Sequence, residues 1–248
     1  MKGAWTIYRR EVAGLFFTPL AWVLLCLALL FHGFYFSYYL SGTGGDVNLA
    51  LSLSLGGGFD FWILLMILPP LLTMRMISEE AESGMLEFLL TAPVSDAGLV
   101  VGKALAATTV MTLLWSSSVV FAAVLAWQGG QPDWGQVVGG LLGAVLVSAL
   151  FCSLGLVASA MSSVALLAAF LAFVFNLLAV ALPVVQSQFQ GSLREVAAEF
   201  VRRVNVIDHL QRSFSAGAFD SADAVFFLSW IGVFLFLAIR LVESRRWR

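Results

Sequence analysis

Apolar residues gather in six long runs, at positions 20–40, 59–76, 98–127, 137–160, 164–185 and 222–241, and polar residues are largely confined to the stretches between them. Each run approaches or exceeds the ~20 residues that a helix needs to cross a hydrocarbon core. The pattern therefore predicts an all-α integral membrane protein, a single transmembrane domain over 1–248 with six transmembrane helices.

The connecting stretches differ in kind. Residues 1–18 place Trp5, Tyr8, Val12 and Leu15 at helical spacing, with Arg9, Arg10 and Glu11 between them, which predicts an amphipathic helix lying in the headgroup layer among membrane lipids. Thr18-Pro19 closes that helix and opens the first span, since proline is tolerated in a first helical turn. Residues 41–46 and 128–136 are glycine-rich turns. Residues 78–95 form a charged, cap-rich island that must sit in water while its flanks do not. The largest polar segment is 186–221, where Leu193, Val196, Phe200 and Val204 share a helical face opposite Arg194, Glu199 and Arg203, predicting an interfacial helix outside the membrane.

Polar residues inside the runs carry more specific expectations. A charge at mid-bilayer costs roughly 2.5–3.5 kcal/mol, so Asp60 is expected near the outer boundary of the second span and Arg75 at the inner one. Pro69-Pro70 between them removes two backbone donors and predicts a kink. Lys103, the sole charge of the third run, is expected to snorkel towards the side of Arg75. Gly140, Ala144, Ser148 and Cys152 recur every fourth residue and predict a helix-packing face. His32 and Asn176 are expected to bond neighbouring helices rather than a ligand.

Composition agrees with the pattern: 60% of residues are hydrophobic and 11% charged, where soluble domains carry about a quarter charged residues. A net charge of -2 gives no argument for nucleic acid, and none is expected as a partner. With six spans, both termini and 78–95 share one side, which holds nine Lys and Arg against four on the other, so the termini are expected to be cytoplasmic. Cys26 and Cys152 both lie in apolar runs, which argues against a disulfide framework. The first apolar run follows an amphipathic stretch and lacks a small-residue cleavage site, so Met1 is expected to be retained.

Reactive constellations are missing from the sequence, with no His-Glu-x-x-His, Cys-x-x-Cys or Gly-x-Ser-x-Gly. Gly102-Lys103 has the pair found in phosphate-binding loops, but the earlier glycine would fall at Ala97 and the following Ser or Thr is absent. The chain is accordingly expected to hold no catalytic residue, cofactor or metal of its own, and Glu79, Glu80 and Glu82 read as a solvated face.

The ordered set Thr73-Met-Arg-Met-Ile-Ser-Glu79-Glu80, Ser83-Gly84, Glu87, Leu89-Leu90-Thr91, Pro93-Val94-Ser95 and Val101-Gly102-Lys103 resembles the membrane subunit of ABC-2 type transporters, and among those the gliding-motility-type (Gld-like) permeases. The likeness extends from Trp5-Thr-Ile-x-Arg9-Arg10-Glu11 through Pro132-Asp133-Trp134-Gly135 to Asp208-His209 and Asp223-x-x-x-Phe227. The resemblance implies a bacterial inner-membrane protein of six spans that pairs with a second copy or a paralogous permease. It also implies two cytoplasmic ABC ATPase subunits, which hold the ATP and Mg. The segment Trp5 to Leu15 is similar to the family's elbow helix. The first cytoplasmic loop resembles its coupling helix, on Glu79, Glu80, Glu82, Gly84, Met85, Leu86, Glu87, Phe88, Leu89, Leu90 and Pro93. The early glutamates suit a helix N-terminus, and the apolar residues after them suit a groove on a partner. The implied function is an export permease subunit; the gliding-type likeness also implies an alternative, a mechanical or anchoring subunit that moves no solute.

Overall fold

Backbone groups within an apolar run have no water to bond and must be satisfied inside the segment, so the runs form helices. The computed structural model describes residues 2–85, 95–186, 201, 204–214, 217 and 220–245, and no strand occurs among them. In chain order the helices are α1 (Lys2–Phe17), α2 (Pro19–Gly42), α3 (Val47–Ser52), α4 (Phe59–Thr73), α5 (Ser78–Glu82), α6 (Asp96–Trp115), α7 (Ser117–Trp127), α8 (Trp134–Met161), α9 (Ala165–Gln186), α10 (Val206–His209) and α11 (Ser221–Arg245). Two π-helical turns, Leu53–Gly57 and Leu210–Phe214, join α3 to α4 and follow α10.

Five helical stretches are long and apolar enough to cross a membrane: Ala21–Gly42, Val47–Glu82, Asp96–Trp127, Trp134–Met161 and Ser221–Arg245. A sixth apolar helix, Ala165–Ala181, is shorter over its described residues. The bundle has a terminal end, where α1 and Arg245 lie, and a loop end. At the loop end Asn48 Oδ1 accepts from the Asp133 amide at 2.7 Å, tying the first two loops together. Of the interfacial helix expected at 193–204, only residues 201 and 204 fall within the described chain.

α8 is the central post, packed by α4, α6, α9 and α11. Gly140, Ala144, Ser148 and Cys152 are all buried there, and Ser148 Oγ accepts from Trp115 Nε1 at 2.9 Å. Two other glycines set the closest approaches. A Cβ on Gly143 would lie 2.5 Å from Phe214 Cβ, and one on Gly155 would lie 2.2 Å from Thr73 Oγ1. That hydroxyl cannot swing aside freely, because it donates to Pro69 O at 2.7 Å. Gly155→Ala is therefore expected to lower stability in detergent by about 1–3 kcal/mol through overpacking. Gly232→Ala, where a Cβ meets nothing within 4 Å, serves as the control and should stay within about 0.5 kcal/mol of the parent.

The second span is preceded by more helix than expected: α3, from Val47, comes before α4, with Asp46 Oδ1 capping α3 by accepting from the amides of Asn48 and Leu49 at 3.0 and 3.1 Å. The irregular backbone sits at Leu55–Gly56, where Gly56 takes φ 139, a conformation that only glycine adopts at low cost. Its carbonyl is satisfied by Trp62 Nε1 at 3.0 Å and Gln211 Nε2 at 3.3 Å. A Cβ on Gly58 would lie 2.5 Å from Tyr39 Oη. α4 continues through Pro69-Pro70 as helix, and the non-helical backbone nearby lies at Leu55–Gly56. Pro69 leaves the Leu65 carbonyl without its i+4 donor, and Asn176 Nδ2 of α9 approaches that oxygen at 3.5 Å. Asn176 thus bonds a neighbouring helix.

Candidate functional site

α1 is amphipathic, and its apolar side selects where it docks. Ile7 is buried against α6, and Tyr8 Oη lies 3.1 Å from Thr109 Oγ1. Gly102 makes the approach possible, since a Cβ there would lie 2.8 Å from Ala4 O and 2.9 Å from Ile7 Cγ2. Trp5 is exposed and stacks on Tyr8, Arg9 is exposed, and Val12 and Leu15 pack partly buried against the core.

Beyond Ile7 the same face of α1 carries Glu11 to Lys103. The Lys103 side chain is fully buried, with Nζ 3.0 Å from Glu11 Oε1 and 2.9 Å from Glu80 Oε1. Arg10 Nη2 completes the group, 2.5 Å from Glu11 Oε1 and 2.7 Å from Glu80 Oε1. Two cations and two carboxylates from α1, α5 and α6 therefore form one neutral cluster at the terminal end. Lys103 does not snorkel to water as expected, because two carboxylates meet its ammonium where it lies, and pairing is what a buried charge requires. Burial by itself would raise the Glu11 pKa, but Lys103 and Arg10 outweigh it and hold that carboxyl below its ordinary range.

The turn between α4 and α5 is fixed from α8. Ser159 Oγ accepts from the amides of Ile77 and Ser78, each at 3.1 Å, and donates to Met74 O at 3.2 Å. Arg245 of α11 closes the end of α8, donating to Ala160 O from Nη2 at 2.8 Å. α5 itself is short. Glu79 and Glu82 are exposed on it, Glu80 faces inward, and Gly84 follows with φ 72. Met85 is exposed, whereas Leu86, Glu87, Phe88, Leu89, Leu90 and Pro93 lie outside the described residues.

A second polar cluster lies inside the bundle. His32 of α2 donates from Nδ1 to Asp60 Oδ2 of α4 at 2.8 Å, and its Nε2 is 3.0 Å from Ser118 Oγ of α7. Tyr39 donates to Asp60 Oδ1 at 2.7 Å and accepts from the Phe59 amide at 3.0 Å. His32, Asp60 and Ser118 are all fully buried, with Asp60 in the first turn of α4. Its partners make the burial tolerable.

Reading the sequence did not single out Glu11, Ser159 or the His32–Asp60 pair. The available signal was that Lys103 and Asp60 are lone charges in apolar runs, and each needs a partner from another helix. One family model, described as ABC-2 family transporter protein, matches residues 5–246. Comparison with curated proteins gives no match.

Proposed function

The chain belongs to the ABC-2 family of transporter membrane proteins, and from that premise we propose that it is the permease subunit of an exporter driven by separate ATPase subunits. In this reading α9 is the fifth of six spans, and the terminal end faces the cytoplasm of a bacterial inner membrane. Two ATPase subunits, which hold the ATP and Mg, dock on 78–95. The permease pairs with a second copy or a paralogue, and its motifs fit the gliding-motility type.

The observation that carries the reading is the linkage of Glu80. The segment proposed to meet the ATPase is tied by Glu80 to Lys103 of α6 and Arg10 of α1, and by the amides of Ile77 and Ser78 to Ser159 of α8. A displacement of that segment by ATP-driven closure thus acts on three helices at once, biasing the dimer between two arrangements.

The test co-reconstitutes the chain with its candidate ATPase in proteoliposomes and measures permease-stimulated ATP hydrolysis. Phe88→Ala and Glu87→Lys are expected to cut the stimulation about tenfold, as the loss of an interface anchor of ~1.4 kcal/mol does. Membrane insertion and yield should not change. Full stimulation in both variants overturns the assignment of the docking segment.

A further inference from the structure

We propose that the groove between α1, the start of α2 and the end of α4 is a binding site for a phospholipid whose headgroup carries both a phosphate and a primary ammonium. The groove encloses about 560 Å³. Leu15, Leu24, Leu71 and Leu72 give it an apolar floor, and Arg75 and Glu80 stand at its charged lip. α2 begins and α4 ends beside it, which sets the lip at the membrane boundary and the floor among acyl chains.

The lip leaves two charged groups incompletely satisfied, and they have opposite signs. Arg75 is exposed, and among the described residues no carboxylate lies in ion-pairing distance of it. Glu80 uses Oε1 for Lys103 and Arg10, but its Oε2 is buried and, among the described residues, has no hydrogen-bond partner. A buried acceptor without a donor costs free energy, and a guanidinium over an apolar floor matches phosphate oxygens. A zwitterionic ethanolamine headgroup answers both: its phosphate pairs with Arg75 and its ammonium donates to Glu80 Oε2. A choline headgroup has the same phosphate but no N–H to donate. A glycerol headgroup brings no cation to the exposed Glu79 beside Glu80.

The test is native mass spectrometry of the purified full chain in detergent with equimolar dioleoyl phosphatidylethanolamine, phosphatidylcholine and phosphatidylglycerol. The ethanolamine lipid is expected to be retained about tenfold over the choline lipid, the worth of one charge-assisted hydrogen bond. Arg75→Gln should lower that retention by about the same factor. Its thermal unfolding should stay at the parent's value, because among the described residues the Arg75 side chain makes no ion pair or hydrogen bond. Equal retention of the choline lipid overturns the ammonium contact, and undiminished retention by Arg75→Gln overturns the phosphate contact. Preference for the glycerol lipid, or retention of none of the three, overturns the site. No ATPase enters this measurement, so its outcome is separate from that of the docking experiment.

Discussion

Lys103→Met is expected to destabilise the protein by about 3 kcal/mol, the scale on which removing one partner of a buried ion pair acts. The substitution keeps a long unbranched stem, so the loss is of charge rather than of volume. Glu11 and Glu80, whose side chains are only 15% and 16% exposed, are left facing one another with Arg10 alone between them. Arg10 compensates only in part, because its side chain is 44% exposed and solvent screens its pairing. Arg10→Gln should for that reason cost no more than ~1 kcal/mol, in the range of a solvent-screened pair. Unfolding in detergent measures both values, and limited trypsin digestion at Arg9–Arg10 reports release of α1 from α6.

The pH dependence has a definite sign. Glu11 is held below its ordinary range in the fold, so its contribution is fully present above ~pH 4.3, the unfolded value. It is lost as pH falls through the lower folded value. Lys103→Met should weaken that acid-side loss, since the cation responsible has gone. Glu11→Gln added to Lys103→Met should recover part of the stability, because one stranded carboxylate is then neutral. A Lys103→Met protein within 0.5 kcal/mol of the parent would sink the cluster as a structural tie, that being the ordinary spread of neutral substitutions.

The membrane class and most of the helices were legible in the sequence, because hydrophobic runs long enough to span a bilayer have few other fates. What the runs concealed was pairing between them. Asp60 was expected near the outer boundary of its span because a solitary charge is costly in a bilayer, but its partner His32, 28 positions earlier on another helix, could not be read from the run. Lys103 was expected to reach for water, whereas Glu11, 92 positions earlier, comes to it on α1. Local reasoning prices each charge as if alone, and these two are not alone. The helix α3 ahead of the second span was missed for a related reason. Gly56 to Gly58 look like a break in an apolar run, but Trp62 and Gln211 satisfy the carbonyl that the irregular turn exposes. The stretch 78–95 was legible as a polar island. Among the described glutamates of α5, Glu80 points inward, and periodicity over the five residues of α5 is too short to tell that face from the outer one.

The second large effect is expected at His32. His32→Leu should cost about 3 kcal/mol, because it strands the Asp60 carboxylate in the bundle interior with Tyr39 as its one remaining side-chain donor. The loss is not simply that of a packed ring, although His32 lies edge-on to Trp115 at 5.4 Å, since leucine fills comparable space. Two further variants separate the causes. Ser118→Ala removes the Nε2 contact and leaves the His32–Asp60 hydrogen bond, so it should cost no more than ~1.7 kcal/mol, the upper range for interhelical hydrogen bonds in membranes. His32→Leu combined with Asp60→Leu removes both partners, and replacing a buried pair by apolar side chains is often neutral. The double variant should therefore be more stable than His32→Leu alone in detergent unfolding. If it is as unstable as the single variant, the cost lies in packing around α2 and α4. If it recovers, the pair is held for what it joins, since the carboxylate of α4 has been built into a site that only α2 and α7 together complete.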